Sequence, residues 1–133
     1  MSLEPVYMLD TDIASFAMRG YGNVSVRLVE RKPAEICISA LTLAELRHGA
    51  DLRSHKLHKL IDSFLTGVAV APFDASAAAR YGKVSSVLVK QGTPIGSFDA
   101  LIAAHALALD VTLVTNNTKH FGRVAGLRLD NWV

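Results

Sequence analysis

Asp10, Glu45, Asp99 and Asn117 are far apart along the chain, yet each stands where one predicted element gives way to the next. Asp10 directly follows the apolar run Val6-Tyr7-Met8-Leu9. Glu45 lies near the start of the helix after a second strand, Asp99 opens a later helix, and Asn117 comes just past Val111-Thr112-Leu113-Val114. In open parallel sheets, ligands bind in the crevice beyond the strand C-termini. If the strands ahead of Asp10 and Asn117 are neighbours, both residues project into that crevice. Asp99 joins them from a helix N-terminus and Glu45 from the same edge. Clustered carboxylates repel one another and lose hydration, so they need a compensating cation. Donors that are all oxygen favour Mg²⁺ or Mn²⁺ over Zn²⁺. Such an ion can lower the pKa of a water, position it for in-line attack and stabilise the leaving oxygen. That is the equipment of a phosphodiester hydrolase.

Each residue also has a plainer reading. Asp10 or Asp12 can N-cap the helix that follows, the cap being the stronger reading for Asp12. Glu45 can complete a capping box with Thr42. Asp99 can stabilise its own helix dipole, and Asn117 can be a turn residue. Taken singly the signals are weak; their order and context carry the weight.

The elements that must position these groups alternate between short strand-like runs and longer helical ones, which argues for an α/β domain with a mainly parallel sheet. Strands are expected at 6–9, 35–39, 68–71 and 111–114, with a short last one at 127–129. Helices are expected at 13–18, 24–30, 43–50, around Leu57 to Leu65, at 75–90 with Asp74 as N-cap, and at 101–109. Residues 91–96 read as a loop.

At 133 residues the chain suits one domain. Half of it is hydrophobic, so it can bury a core, and wholesale disorder is excluded. No apolar run reaches the roughly 20 residues of a membrane span. The start, Met1-Ser2-Leu3-Glu4-Pro5, lacks the basic region of a signal peptide. The lone Cys37 fits a reducing cytosol, so a cytoplasmic location is expected. A net charge of only +2 does not by itself mark a nucleic-acid binder. Basic residues do gather at 47–59 (Arg47, Arg53, Lys56, Lys59), with Lys119 and Arg123 near other helix ends. Basic groups around an acidic metal centre suit a polyanion, although a solvated helix face explains them as simply. His48, His55 and His58 lack the supporting ligands and spacing of a zinc site.

Four stretches, in this order, resemble the PIN-domain ribonucleases, most closely the VapC toxins of bacterial toxin–antitoxin pairs. They are Met8-Leu9-Asp10-Thr11-Asp12, residues 38–50 with Thr42-Leu43-Ala44-Glu45-Leu46-Arg47, residues 94–106 with Ser97-Phe98-Asp99-Ala100, and Leu113-Val114-Thr115-Asn116-Asn117-Thr118-Lys119-His120-Phe121. The similarity extends to the Asn131-Trp132 ending. It implies a three-layer α/β/α PIN-like domain with a short, mainly parallel sheet of four to five strands. It also implies a Mg²⁺- or Mn²⁺-dependent endoribonuclease whose products carry 5′-phosphate and 3′-hydroxyl ends.

By position Asp10, Glu45 and Asp99 match the family's acids, Asn117 its fourth site and Thr115 a hydroxyl beside it. Asp10 and Asp99 would chiefly hold the metal, Glu45 would assist, and Asn117 would reach water or a phosphate oxygen. Thr11, Arg47 and Lys119 are secondary candidates for substrate contact. Many relatives carry an acid where this chain has His120, which leaves one corner of the site neutral. The resemblance further implies an RNA substrate, tRNA among the candidates, a homodimer and a VapB-like antitoxin. Phe16, Met18, Tyr21, Val24 and Leu28 could meet that antitoxin or simply pack in the core. A haloacid-dehalogenase-type phosphatase would share Asp10-Thr11-Asp12 and a strand ending in Thr115, but too little chain follows for its later motifs. A catalytically silent PIN-like binding module is the other alternative.

Overall fold

The computed structural model describes residues 5–133. The opening segment read for a signal peptide therefore lies, but for Pro5, outside the described residues. Strand β1 (Tyr7–Leu9) is flanked by β2 (Ile36–Ser39) and β4 (Thr112–Val114); β3 (Ala69–Ala71) lies beyond β2, and β5 (Leu129–Asp130) beyond β4. All four pairings are parallel, with Met8 level with Cys37 on one side and Leu113 on the other. The chain thus builds the sheet outward from β1 in one direction and then returns to build in the other. That reversal opens a crevice at the C-terminal ends of β1 and β4.

Successive strand residues face opposite sides of a sheet, and both faces here are covered. Met8, Cys37 and Leu113 pack on one side with Ile102, Ala103, Ala106 and Phe121. Leu9, Ile36, Ile38 and Val114 pack on the other with Ile13, Val24 and Trp132. The first face carries α5 (Ala75–Lys90), α6 (Ser97–Leu109) and α7 (Thr118–Phe121). The second carries α1 (Thr11–Arg19), α2 (Val24–Val29), α3 (Ala40–Arg53) and α4 (Lys56–Phe64). The result is the expected three-layer α/β/α arrangement. Buried Trp132 seals the second face: Tyr7 meets it edge-on at 5.1 Å, the Arg31 guanidinium lies 4.3 Å from its ring centre, and its Nε1 donates to Asp130.

Several expected boundaries move, and the reasons are local. Helix α3 starts at Ala40, not Leu43, because Ser39 Oγ at the end of β2 accepts the Leu41 N–H at 3.1 Å. Thr42 is consequently not a cap. It is fully buried, and its Oγ1 accepts from Thr11 Oγ1 at 3.3 Å. The capping box with Glu45 does not form, and Glu45 is left for other work. Helix α6 begins four residues ahead of Leu101, capped at Gly96 with φ +92°, a backbone conformation that favours glycine. Its buried Ala100, Ala103, Ala104 and Ala106 let it lie close against α5 and the sheet. Helix α7 was not expected, and the last strand falls at 129–130 instead of 127–129. Asp74 caps α5 as predicted, accepting from the Ala77 N–H at 3.0 Å.

Candidate active site

Asp10 is the first residue after β1 and the N-cap of α1, and its side chain also lines the crevice, so the capping reading does not exclude the other. Its Oδ1 accepts the Ile13 N–H at 2.9 Å, and its own N–H donates to the Val114 carbonyl across the β1–β4 seam. Asp12, the stronger cap candidate from sequence, sits in the first turn of α1 and caps nothing. It is exposed instead at the mouth of the site.

A cavity of about 410 Å³ opens at this edge, lined by Asp10, Thr11, Asp12, Glu45, Ser97 and Asp99 together with Ile95, Gly96, Phe98 and Ile102. Four carboxylates from three separate segments thus share a wall that contains no lysine or arginine. Asp10 is only 8% exposed. Burial pushes its carboxyl up to about 6, and the nearby charges of Asp12 and Asp99 push the same way. Hydrogen bonds from the Thr115 hydroxyl and the Ile13 amide oppose that rise. Excess negative charge with no lysine or arginine in the lining, presented by oxygen donors, fits a hard divalent ion.

Asp99 stands in the first turn of α6, where the helix dipole favours its negative charge. His120 Nε2 lies 3.0 Å from Asp99 Oδ2 and donates to the Ile95 carbonyl at 2.7 Å. Thr115 is fully buried, and its Oγ1 also accepts the Asn117 N–H at 3.0 Å. The expected four-way convergence is therefore incomplete. Asp10, Glu45 and Asp99 come together, whereas Asn117 is exposed at the start of α7 and does not line the cavity. Lys119 is exposed on α7, outside the lining.

Arg47 is committed elsewhere. It bonds Asp62 at 2.6 Å and donates to His58 Nδ1 at 3.1 Å, tying α3 to α4. Asp51, His55 and His58 bring one ligand atom each within 4.8 Å of one another, a grouping with the look of a metal site. Because an arginine only donates, His58 Nδ1 must accept, and Nε2 carries the hydrogen that goes to Asp51 at 2.7 Å. No lone pair on that ring is free for a metal. Paired in this way, the cluster ties α3 to α4.

Sequence reasoning missed Asp12 and Ser97 as cavity residues, and it noted His120 without its contact to Asp99. The Asp-x-Asp spacing was the available signal for Asp12. For His120 no local signal exists, since its partner carbonyl is 25 residues away.

A sheet that reverses its order at β1, with a carboxylate crevice at the seam, defines an open parallel α/β domain that binds its ligand at the switch point. The PIN domain family matches residues 7–127. The tRNA(fMet)-specific endonuclease VapC of Shigella flexneri is 38% identical over 131 residues, covering 95% of this chain and 97% of that protein. Two solved complexes have the same fold along nearly their whole length. The DNA-bound VapBC of Salmonella typhimurium matches with a TM-score of 0.91 at 31% identity, over 97% of this chain and 99% of that one. VapBC2 of Rickettsia felis, bound to a DNA fragment from its promoter, matches with a TM-score of 0.88 at 35% identity, over 96% and 99%. This chain belongs to the PIN-domain family, among its VapC ribonucleases. The phosphatase alternative is thereby set aside.

Proposed function

We propose that this ribonuclease cuts tRNA by hydrolysis at the carboxylate cavity, using Mg²⁺ or Mn²⁺ held by Asp10, Asp99 and Glu45. The observation that carries this reading is the shared cavity of those three side chains, which come from the end of β1 and from α3 and α6 and have no lysine or arginine among the cavity's lining residues. The bound ion would supply an activated water and offset charge on the scissile phosphate. The chain's own groups do the rest. Asp10 is held by the Ile13 amide and the Thr115 hydroxyl, which fix its carboxylate in one orientation. Glu45, exposed on α3, is free to orient water beside the phosphate. Thr11 and Ser97 offer hydroxyls to phosphate oxygens along the cavity wall. Asn117 and Lys119 meet flanking nucleotides outside it, and Arg47 would do so only by leaving Asp62.

The choice of tRNA rests on the name of the Shigella flexneri relative. A VapB-like antitoxin as partner rests on the VapBC complexes. Val26, Val29 and Tyr21 are exposed on and beside α2, where such a partner could bury them, whereas Val24 is core. A homodimer and action in the cytoplasm complete the reading; among the described residues no helix is long and apolar enough to cross a membrane. The test is to incubate the purified chain with tRNA, and separately with a phosphomonoester, in Mg²⁺ or EDTA. Discrete tRNA cuts that need the ion and vanish in Asp99→Asn support it. Cuts that persist in EDTA or in Asp99→Asn overturn it.

A further inference from the structure

Helix α7 is one turn long, yet it and the residues after it send two side chains back to a single turn of chain. His120 Nε2 donates to the Ile95 carbonyl at 2.7 Å, and Arg123 Nη1 approaches the Pro94 carbonyl at 3.5 Å. The turn so held, Pro94-Ile95-Gly96, leads into α6 and forms part of the cavity wall. The same Nε2 is 3.0 Å from Asp99 Oδ2. Both neighbours of Nε2 are acceptors, so that nitrogen carries a hydrogen whatever the state of Nδ1. A carboxylate in place of this ring would set an acceptor against the Ile95 carbonyl and a like charge against Asp99, and neither contact would form.

We infer that His120 is a positioning residue, which fixes the Asp99 carboxylate and the 94–96 turn in one arrangement facing Asp10 and Glu45. The hydrogen on Nε2 goes to the Ile95 carbonyl, and the same ring edge lies 3.0 Å from Asp99 Oδ2, so the ring braces the turn and the carboxylate together. The ring itself is only about a quarter exposed, and its edge-on contact with Phe121 (5.7 Å, 82°) anchors it to the core. The consequence for the reaction rests on the reading of Asp99 as a metal ligand; the hold on the turn does not.

Two variants test it, His120→Ala and His120→Gln, because the glutamine amide can donate from nearly the place of Nε2. The first readout is amide hydrogen exchange in metal-free protein. The reporter is Ala100, whose N–H donates to the Gly96 carbonyl at the start of α6. The second is Mn²⁺ binding followed by the spin-resonance signal of the free ion. Loss of a contact of this kind to a charged group predicts roughly tenfold faster exchange in 95–101 and roughly tenfold weaker Mn²⁺ binding for His120→Ala. At saturating Mn²⁺, KM for RNA is unchanged. His120→Gln restores both readouts to within about threefold. Unchanged exchange in His120→Ala, acceleration spread evenly over the sheet and α5, or a glutamine variant no better than alanine would each overturn the inference. If the wild-type chain binds no Mn²⁺, the metal reading falls, and the exchange readout still decides whether His120 holds the turn.

Discussion

Replacing Asp10 by Asn should make the metal-free protein more stable at neutral and alkaline pH while abolishing its activity. Burial holds the Asp10 carboxyl near 6 against an ordinary 3.8. At ~1.4 kcal/mol per tenfold change in acid constant, keeping it ionised costs the fold about 3 kcal/mol. Because the folded state binds this proton more tightly than the unfolded state, its stabilising effect is complete below pH 3.8. It is lost as pH rises through about 6. Asparagine is as good an N-cap as aspartate, so the bond to the Ile13 amide survives and the charge alone is removed. Urea unfolding in EDTA should therefore give equal stabilities near pH 3.5. By pH 7.5 a gap of about 3 kcal/mol should favour the variant, roughly 10 °C in Tm. Adding Mn²⁺ at about a hundred times its dissociation constant should return about 2.7 kcal/mol to the wild type and little to the variant. A variant less stable than wild type at pH 7.5, or an offset that does not change between pH 4 and 6, would refute the electrostatic account of the cavity.

Two further outcomes concern the scaffold. Trp132→Ala should cost about 3–5 kcal/mol, read by chemical denaturation, because it empties the space beneath Tyr7 and Arg31 on the second face of the sheet. Cys37, buried in β2 with its thiol pushed up to about 12 by burial, should resist a thiol reagent at pH 8 until the protein is unfolded.

What could be read from the sequence was what local chemistry decides. The apolar run ending at Asp10 gave β1, Asp74 gave the start of α5, and the alternation of runs gave the layered class. The meeting of Asp10, Glu45 and Asp99 could be anticipated because strand ends in a parallel sheet share an edge. The errors arise where a distant partner decides the outcome. Thr42 has the spacing of a cap, but Ser39 reaches the free amide first and Thr42 bonds Thr11, 31 residues away. Asp12 looked like the cap because the capping rule cannot separate two acids spaced by one residue; the β1–β4 seam chooses Asp10. Helix α7 is too short to show periodicity, so Asn117 was expected in the crevice, although it begins that helix on the exposed side.

Calorimetric titration of Mn²⁺ into the metal-free protein bears most directly on the carboxylate cavity. The account predicts saturable binding in the wild-type chain, lost in Asp99→Asn and weakened in Glu45→Gln, with both variants folded. Binding that is the same in all three proteins would place the ion elsewhere and contradict it.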